Sequence, residues 1–183
     1  MIKYIISITA KDRPGIVAGL SEAIFELGGN LEVASQTVHQ SYFAMIILGA
    51  FAREIATEEL ARQIRQKAGQ DLHVYITPYQ PGSPAVCSGQ TFIVTSVGRD
   101  KPGILHTLAT YLASKNINID DLYCYVENQE FIVICQVTVP AELDVFMVQA
   151  DLEAVGQEGG FTASMQHENI FVATNELRLG NIR

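Results

Sequence analysis

The chain has 183 residues, 48% of them hydrophobic and 17% charged, with a net charge of −8. Its Lys and Arg number twelve, are scattered, and are outnumbered by twenty Asp and Glu. That balance excludes the basic stripe needed to neutralise phosphates and argues against direct nucleic-acid binding. No apolar run is long enough for a membrane-spanning helix.

The opening MIKYIISITAKDRPG reads as a strand and turn, without the basic start and small-residue cleavage site of a signal peptide. Cys87, Cys124 and Cys135 are odd in number and lack metal-ligand spacing, so they are expected as reduced thiols in a cytoplasmic protein. The histidines at 39, 73, 106 and 167 are not clustered, and no metal site or cofactor is expected.

Residues 2–9 are β-branched and apolar and read as a strand. Lys11-Asp12-Arg13-Pro14-Gly15-Ile16 follows. Pro14 suits the first turn of a helix, and Asp12, just ahead, suits a cap for the free N–H groups. Ile16, Leu20, Ala23, Ile24 and Leu27 recur at helical spacing, and Gly28-Gly29 ends the helix. Strands are predicted over 31–40 and 42–51, with a turn at Gln40-Ser41. Thr57 caps a second helix whose inner face is Leu60, Ile64 and Ala68 and whose stop is Gly69. A fourth strand runs over 72–79.

The order is then repeated. Gly15 and Gly103 are 88 positions apart, and Lys11–Ile16 recurs as Arg99-Asp100-Lys101-Pro102-Gly103-Ile104. Asn30-Leu31 recurs as Asn118-Ile119, and Phe43 as Phe131. A strand is predicted over 91–97, a helix opening at Pro102, a hairpin of 118–126 and 130–139 around Glu127-Asn128-Gln129, and a helix from Pro140-Ala141-Glu142 to Gly156. The last core strand covers 161–166.

The expected organisation is therefore two modules, 1–80 and 90–167, joined by a Pro/Gly/Ser-rich linker over 81–89 and followed by a tail, 168–183. Ile170-Phe171-Val172-Ala173 in that tail is apolar enough for an edge strand or a docking segment. The order β-α-β-β-α-β is the ferredoxin-like split β-α-β unit. The expected fold class is α+β, two antiparallel sheets with helices on one face of each.

The repeated turn carries the functional expectation. A helix start offers unsatisfied N–H groups and partial positive charge. A glycine there lets a ligand approach the backbone closely. This pair of features favours a small anion such as a carboxylate. Asp12 or Asp100 supplies an opposite charge for an ammonium group, or serves only as a cap. Asn30 and Asn118 offer a donor and an acceptor, or only satisfy the helix-to-strand turn.

Strand, Asp-x-Pro-Gly-Ile, helix, and Asn-[Leu/Ile] fifteen residues after the Gly resembles the ACT domain, and both copies match over residues 1–167. Tandem ACT proteins of this size resemble the glycine cleavage system transcriptional repressor family. The resemblance implies a regulatory, non-enzymatic protein that senses a small amino acid, glycine or serine, and modulates a partner protein such as a transcription regulator. Each module also leaves strand edges and one sheet face needing cover, so a homodimer is expected.

Carried over residue by residue, the resemblance implies ligand contacts from Asp12, Arg13, Gly15 and Ile16 with Asn118, and from Asp100, Lys101, Gly103 and Ile104 with Asn30. One departure is that serine-responsive members have Asn where this chain has Asp12 and Asp100, and their upstream polar position is Ala10 or Gly98 here. The alternative reading is a ligand-independent interaction scaffold.

Overall fold

The computed structural model describes residues 1–81 and 89–171. The chain divides into two compact units, Met1–Gly82 and Ser83–Arg183. Most of the expected linker, including Cys87, and the tail from residue 172 lie outside the described residues.

The first unit contains β1 (Ile2–Lys11), α1 (Ile16–Glu26), β2 (Gly29–His39), β3 (Tyr42–Phe51), α2 (Thr57–Ala68) and β4 (His73–Pro78). The second contains β5 (Gly89–Arg99), α3 (Ile104–Ser114), β6 (Asn118–Glu127), β7 (Glu130–Pro140), α4 (Val145–Gly159) and β8 (Thr162–His167). Each unit has one antiparallel sheet, in order β2-β3-β1-β4 and β6-β7-β5-β8. These are two ferredoxin-like modules.

Alternation along β1 buries Tyr4, Ile6, Ile8 and Ala10 against Ile16, Leu20 and Ile24 of α1 and Leu60 and Ile64 of α2. In the second module Phe92 and Val94 meet Ile104, Leu108, Leu112, Val148 and Leu152. Each such side chain contributes roughly 1.5–3 kcal/mol on burial, which is what holds the helices on one sheet face. The hairpin turns are two residues long. Gln40 and Ser41 have φ of 46° and 67°, and Asn128 and Gln129 have φ of 51° and 68°. Two positive φ values match the twist of the flanking strands.

Several helix boundaries differ from expectation. α1 and α3 begin at Ile16 and Ile104, not at Pro14 and Pro102, because Gly15 and Gly103 occupy the N-cap positions with φ of 97° and 105°. Pro14-Gly15 therefore forms the centre of a turn of type II character, Pro at the second position and a positive-φ Gly at the third. α2 is capped at Ala56, with Thr57 already helical.

α4 starts at Val145 rather than near Pro140, because Asp144 accepts hydrogen bonds from the backbone N–H of Phe146 (2.9 Å) and Met147 (3.4 Å). Gly156 lies within α4 and does not end it. A Cβ there would meet the carbonyl oxygen of Phe161 at 2.8 Å, so the glycine serves close packing, and Gly160 caps the helix. Residues 168–171 form a helical turn rather than a strand.

Candidate functional site

The turn after β1 is built from the backbone. Gly15 receives the first helical hydrogen bond, from the N–H of Gly19 (2.9 Å), and Gly103 receives the equivalent bond from Thr107 (2.8 Å). The N–H groups of the first helical residues, from Ile16 and from Ile104, thus have no intrahelical acceptor. Among the described residues no side chain caps either helix. Asp12 and Asp100 are exposed and are not caps: the cap position lies three residues further on, at the glycine. A Cβ built on Gly15 or Gly103 meets nothing within 4 Å. The glycine is required by its left-handed backbone, not by helix–sheet packing, and the space above it is open.

The side chains of Ile16 and Ile104 are buried, 1% and 2% exposed, in their module cores. What these two positions present at the surface is backbone N–H. Arg13 is held by its own module. Its two terminal nitrogens each donate to Asp71 at 2.7 Å, and one also donates to the carbonyl of Ala68 at 2.9 Å, at the last residue of α2. The guanidinium beside Asp71 holds that carboxyl below its ordinary value. Lys101 takes the matching place in the second module, with its Nζ against Gly160 at the end of α4. Both bases thus lie where a helix ends in free carbonyls.

Asn30 and Asn118 do not reach the turn of their own module. Asn30 is in register with Ala50, which faces Lys3, whereas the turn follows Lys11. Eight strand positions separate those levels, about 27 Å at the rise of a β-strand. Asn118 is likewise in register with Thr138, which faces Thr91, whereas Asp100 follows Arg99. Each Asn stands next to a bulge in its strand, between Leu31 and Val33 and between Ile119 and Asp121. The bulged residue is acidic both times. Glu32 accepts from Lys3 Nζ (2.6 Å), while Asp120 accepts from Asn118 Nδ2 (2.7 Å) and Thr138 Oγ1 (2.6 Å).

The hairpin tips beside the turns were not singled out from sequence. The N–H of Asp12 donates to the carbonyl of Ser41, and that of Asp100 to the carbonyl of Gln129, each at 2.8 Å. Gln40-Ser41 and Asn128-Gln129 therefore border the two turns. Their turn character was readable, but their adjacency follows only from the register that pairs Lys11 with Tyr42 and Arg99 with Glu130. Among the described residues, no three His, Cys, Asp or Glu are grouped so as to hold a metal ion, and no helix is long and apolar enough to cross a membrane.

A family model for the ACT domain matches residues 3–75 and again 90–166. The chain belongs to the ACT-domain family. A UPF0237 protein of Methanopyrus kandleri is 38% identical over 74 residues, 40% of this chain and 82% of that protein. A structure of an unknown protein from Galdieria sulphuraria superposes with a TM-score of 0.75 at 20% identity, covering 91% of this chain and 98% of that one. A structure named provisionally as a glycine cleavage system transcriptional repressor gives 0.65 at 15% identity, covering 90% and 96%. At such identities the two structures speak for the fold. The two-module fold of this chain is matched over nearly the full length of both.

Proposed function

We propose that this tandem ACT protein is a non-catalytic regulator that binds a small amino acid at the turns after β1 and β5 and changes the activity of a partner protein, acting as a homodimer. The observation that carries the reading is the pair of helix starts. Each has an uncapped set of N–H groups, a left-handed glycine with open space above it, and an exposed Asp three residues away. The N–H groups suit a carboxylate and the Asp suits an ammonium, one group for each end of a zwitterion.

The lack of a side chain at Gly15 and Gly103 favours a ligand with a small side chain, glycine or serine. Asn30 and Asn118 enter the proposal as groups that a turn would have to receive from a module other than its own. The provisional name of the structural relative supports an amino-acid-linked transcriptional role, exercised through a partner because the chain is acidic.

Calorimetry and thermal shift with each of the twenty amino acids test the reading. A ligand at 100 times its Kd should stabilise the protein by about 2.7 kcal/mol. Gly15→Ala and Gly103→Ala should each weaken the response, since a Cβ both strains the positive φ and narrows the approach. A pure, folded protein that responds to none of the twenty amino acids defeats the proposal.

A ligand-independent scaffold is the second reading. It is favoured by the commitment of Arg13 to Asp71 and by the absence of a polar side chain at Ala10 and Gly98. A partner captured equally well with and without amino acids would establish it.

A further inference from the structure

The surface of α4 is unlike that of its counterpart α2. The face of α2 turned away from its sheet carries Glu58, Arg62 and Gln66, all exposed, with Glu59 beside them. At an offset of 88, α4 carries Phe146, Ala150, Ala154 and Met147. Each of those four charged or polar positions of the first helix is apolar in the second. Phe146 is 84% exposed and Met147 62% exposed, in the first turn of a helix where acids are electrostatically favoured. The spacing 147, 150, 154 is that of one helix stripe, and it lies opposite the buried Val148, Leu152 and Gly156.

Charge sets the kind of partner. Residues 1–81 hold seven Lys and Arg and eight Asp and Glu, whereas residues 89–171 hold three and eleven. α4 has no Lys or Arg, and its apolar stripe is flanked by Glu153 on one side and Glu158 on the other, with Asp144 at its start. An apolar stripe with an acidic rim is complementary to an amphipathic segment whose apolar anchors are flanked by Lys and Arg.

We infer that the outer face of α4, centred on Phe146 and Met147, is the docking surface for a basic amphipathic helix of a partner protein. The inference rests on the regulatory reading only in supposing that a protein partner exists. The face and the ligand turns are made of different residues and can be tested separately.

The probe is a fluorescein-labelled Leu/Lys amphipathic peptide of about fifteen residues, the length of α4. A Leu/Glu peptide of the same pattern and a scrambled Leu/Lys peptide serve as controls. Full-length protein is compared with the double variant Phe146→Glu, Met147→Glu, which restores the residues of α2. Both side chains are exposed and acids suit a helix start, so the variant should keep its circular dichroism and melting temperature.

Saturable binding of the Leu/Lys peptide alone, falling with added salt and at least about tenfold weaker in the double variant, is the expected result. Because the variant is more acidic, attraction of charge alone would bind the peptide equally or more tightly, and that outcome overturns the proposal. So does an absence of binding, or self-association of the parent protein that the double variant abolishes, which would make a second copy the occupant. Thermal shift with glycine and serine on the same two proteins separates the readings. A retained amino-acid response with no peptide binding leaves the ligand turns standing and removes the docking face, and the reverse result removes the turns alone.

Discussion

The two modules share a strand order, a turn and a pattern of buried positions, yet they are held together differently. In the first module α1 and α2 approach closely at Gly19, where a Cβ would meet the carbonyl oxygen of Lys67 at 2.5 Å and the Cα of Ala68 at 2.7 Å. The second module has Thr107 and Val155 at the positions of Gly19 and Lys67, and a groove of about 430 Å³ runs there, lined by Thr107, Tyr111, Val155 and Gly159.

Charged groups bridge the first pair of helices, Lys67 Nζ lying 2.7 Å from Glu22 and 2.5 Å from Glu26. The second pair is bridged by Lys115 and Asp151 at 2.8 Å, with the Tyr111 hydroxyl donating to the carbonyl of Val148 at 3.3 Å. Burial, and then the charge of Asp151, pushes the Tyr111 hydroxyl up to about 12. The lesson is that the ferredoxin-like frame tolerates either a tight or an open helix pair. The residue facing the second helix decides which.

The sharpest way to break this comparison is to exchange that residue. Gly19→Thr should destabilise the first module by about 3 kcal/mol, because the obstacle is backbone and cannot rotate away. The reverse change, Thr107→Gly, should cost only the helix propensity of glycine, about 1 kcal/mol or less. Urea unfolding of the two variants checks the asymmetry. Equal costs would mean that the helix pairs are packed alike.

Tyr4 and Phe92 give the next contrast. The Tyr4 hydroxyl is buried, donates to the carbonyl of Ile55 (2.9 Å) and accepts from its N–H (3.1 Å). It fastens the β3–α2 connection. Phe92 instead meets His167 edge-on, with centroids 5.3 Å apart. Tyr4→Phe strands both backbone groups of Ile55 and should cost about 2 kcal/mol. A change in melting temperature within error would show that the connection does not depend on the hydroxyl.

Ser96 reverses the sign. It is fully buried, its Oγ has no hydrogen-bond partner among the described residues, and the equivalent position in the first module is Ile8. Ser96→Ala removes an unpartnered hydroxyl and should stabilise the second module by about 1 kcal/mol. Destabilisation in denaturant titration would show that the hydroxyl is satisfied in solution.

Periodicity made the modules legible. The apolar, β-branched run of β1 and the three-four spacing of Ile16, Leu20, Ala23 and Ile24 depend only on which face is dry, and the structure buries Tyr4, Ile6 and Ile8 with those helix residues. The hairpin turns at Gln40-Ser41 and Asn128-Gln129 were legible for a similarly local reason. Helix starts were not, where two signals compete at neighbouring residues. Pro14 is a good first helical residue and an equally good second turn residue, and only the backbone of Gly15 decides between them. Asp144 displaced Pro140 as the start of α4 because a side-chain cap outweighs a permissive φ.

The site was readable as a turn but not as a geometry. The partner of Arg13 lies 58 residues away, and the neighbouring hairpin tip follows from strand register. Neither has a local signature.

The smallest effect concerns Arg13 and Asp71, and pH isolates it. The hydrogen bonds from Arg13 lower the Asp71 carboxyl from its ordinary value of 3.8, with desolvation opposing. A carboxyl whose folded pKa is depressed stabilises the fold above its unfolded pKa and loses that contribution as pH falls through the folded value. The pair therefore contributes fully at neutral pH and fades below 3.8. Among the described residues Lys101 has no carboxylate within ion-pair distance, so the matching corner of the second module lacks this dependence.

Asp71→Asn should flatten the acid side of the stability profile in the first module alone. Amide exchange of β1 and β4 against β5 and β8, followed from neutral pH into acid, reports the two modules separately. Both side chains are partly exposed, at 35% and 57%, so added salt should shrink the effect further. Were Asp71→Asn to change both modules equally, the difference between them would not lie in this pair. Were it instead to alter the response to glycine or serine, Arg13 would serve the ligand turn through its position and not only the corner between α2 and β4.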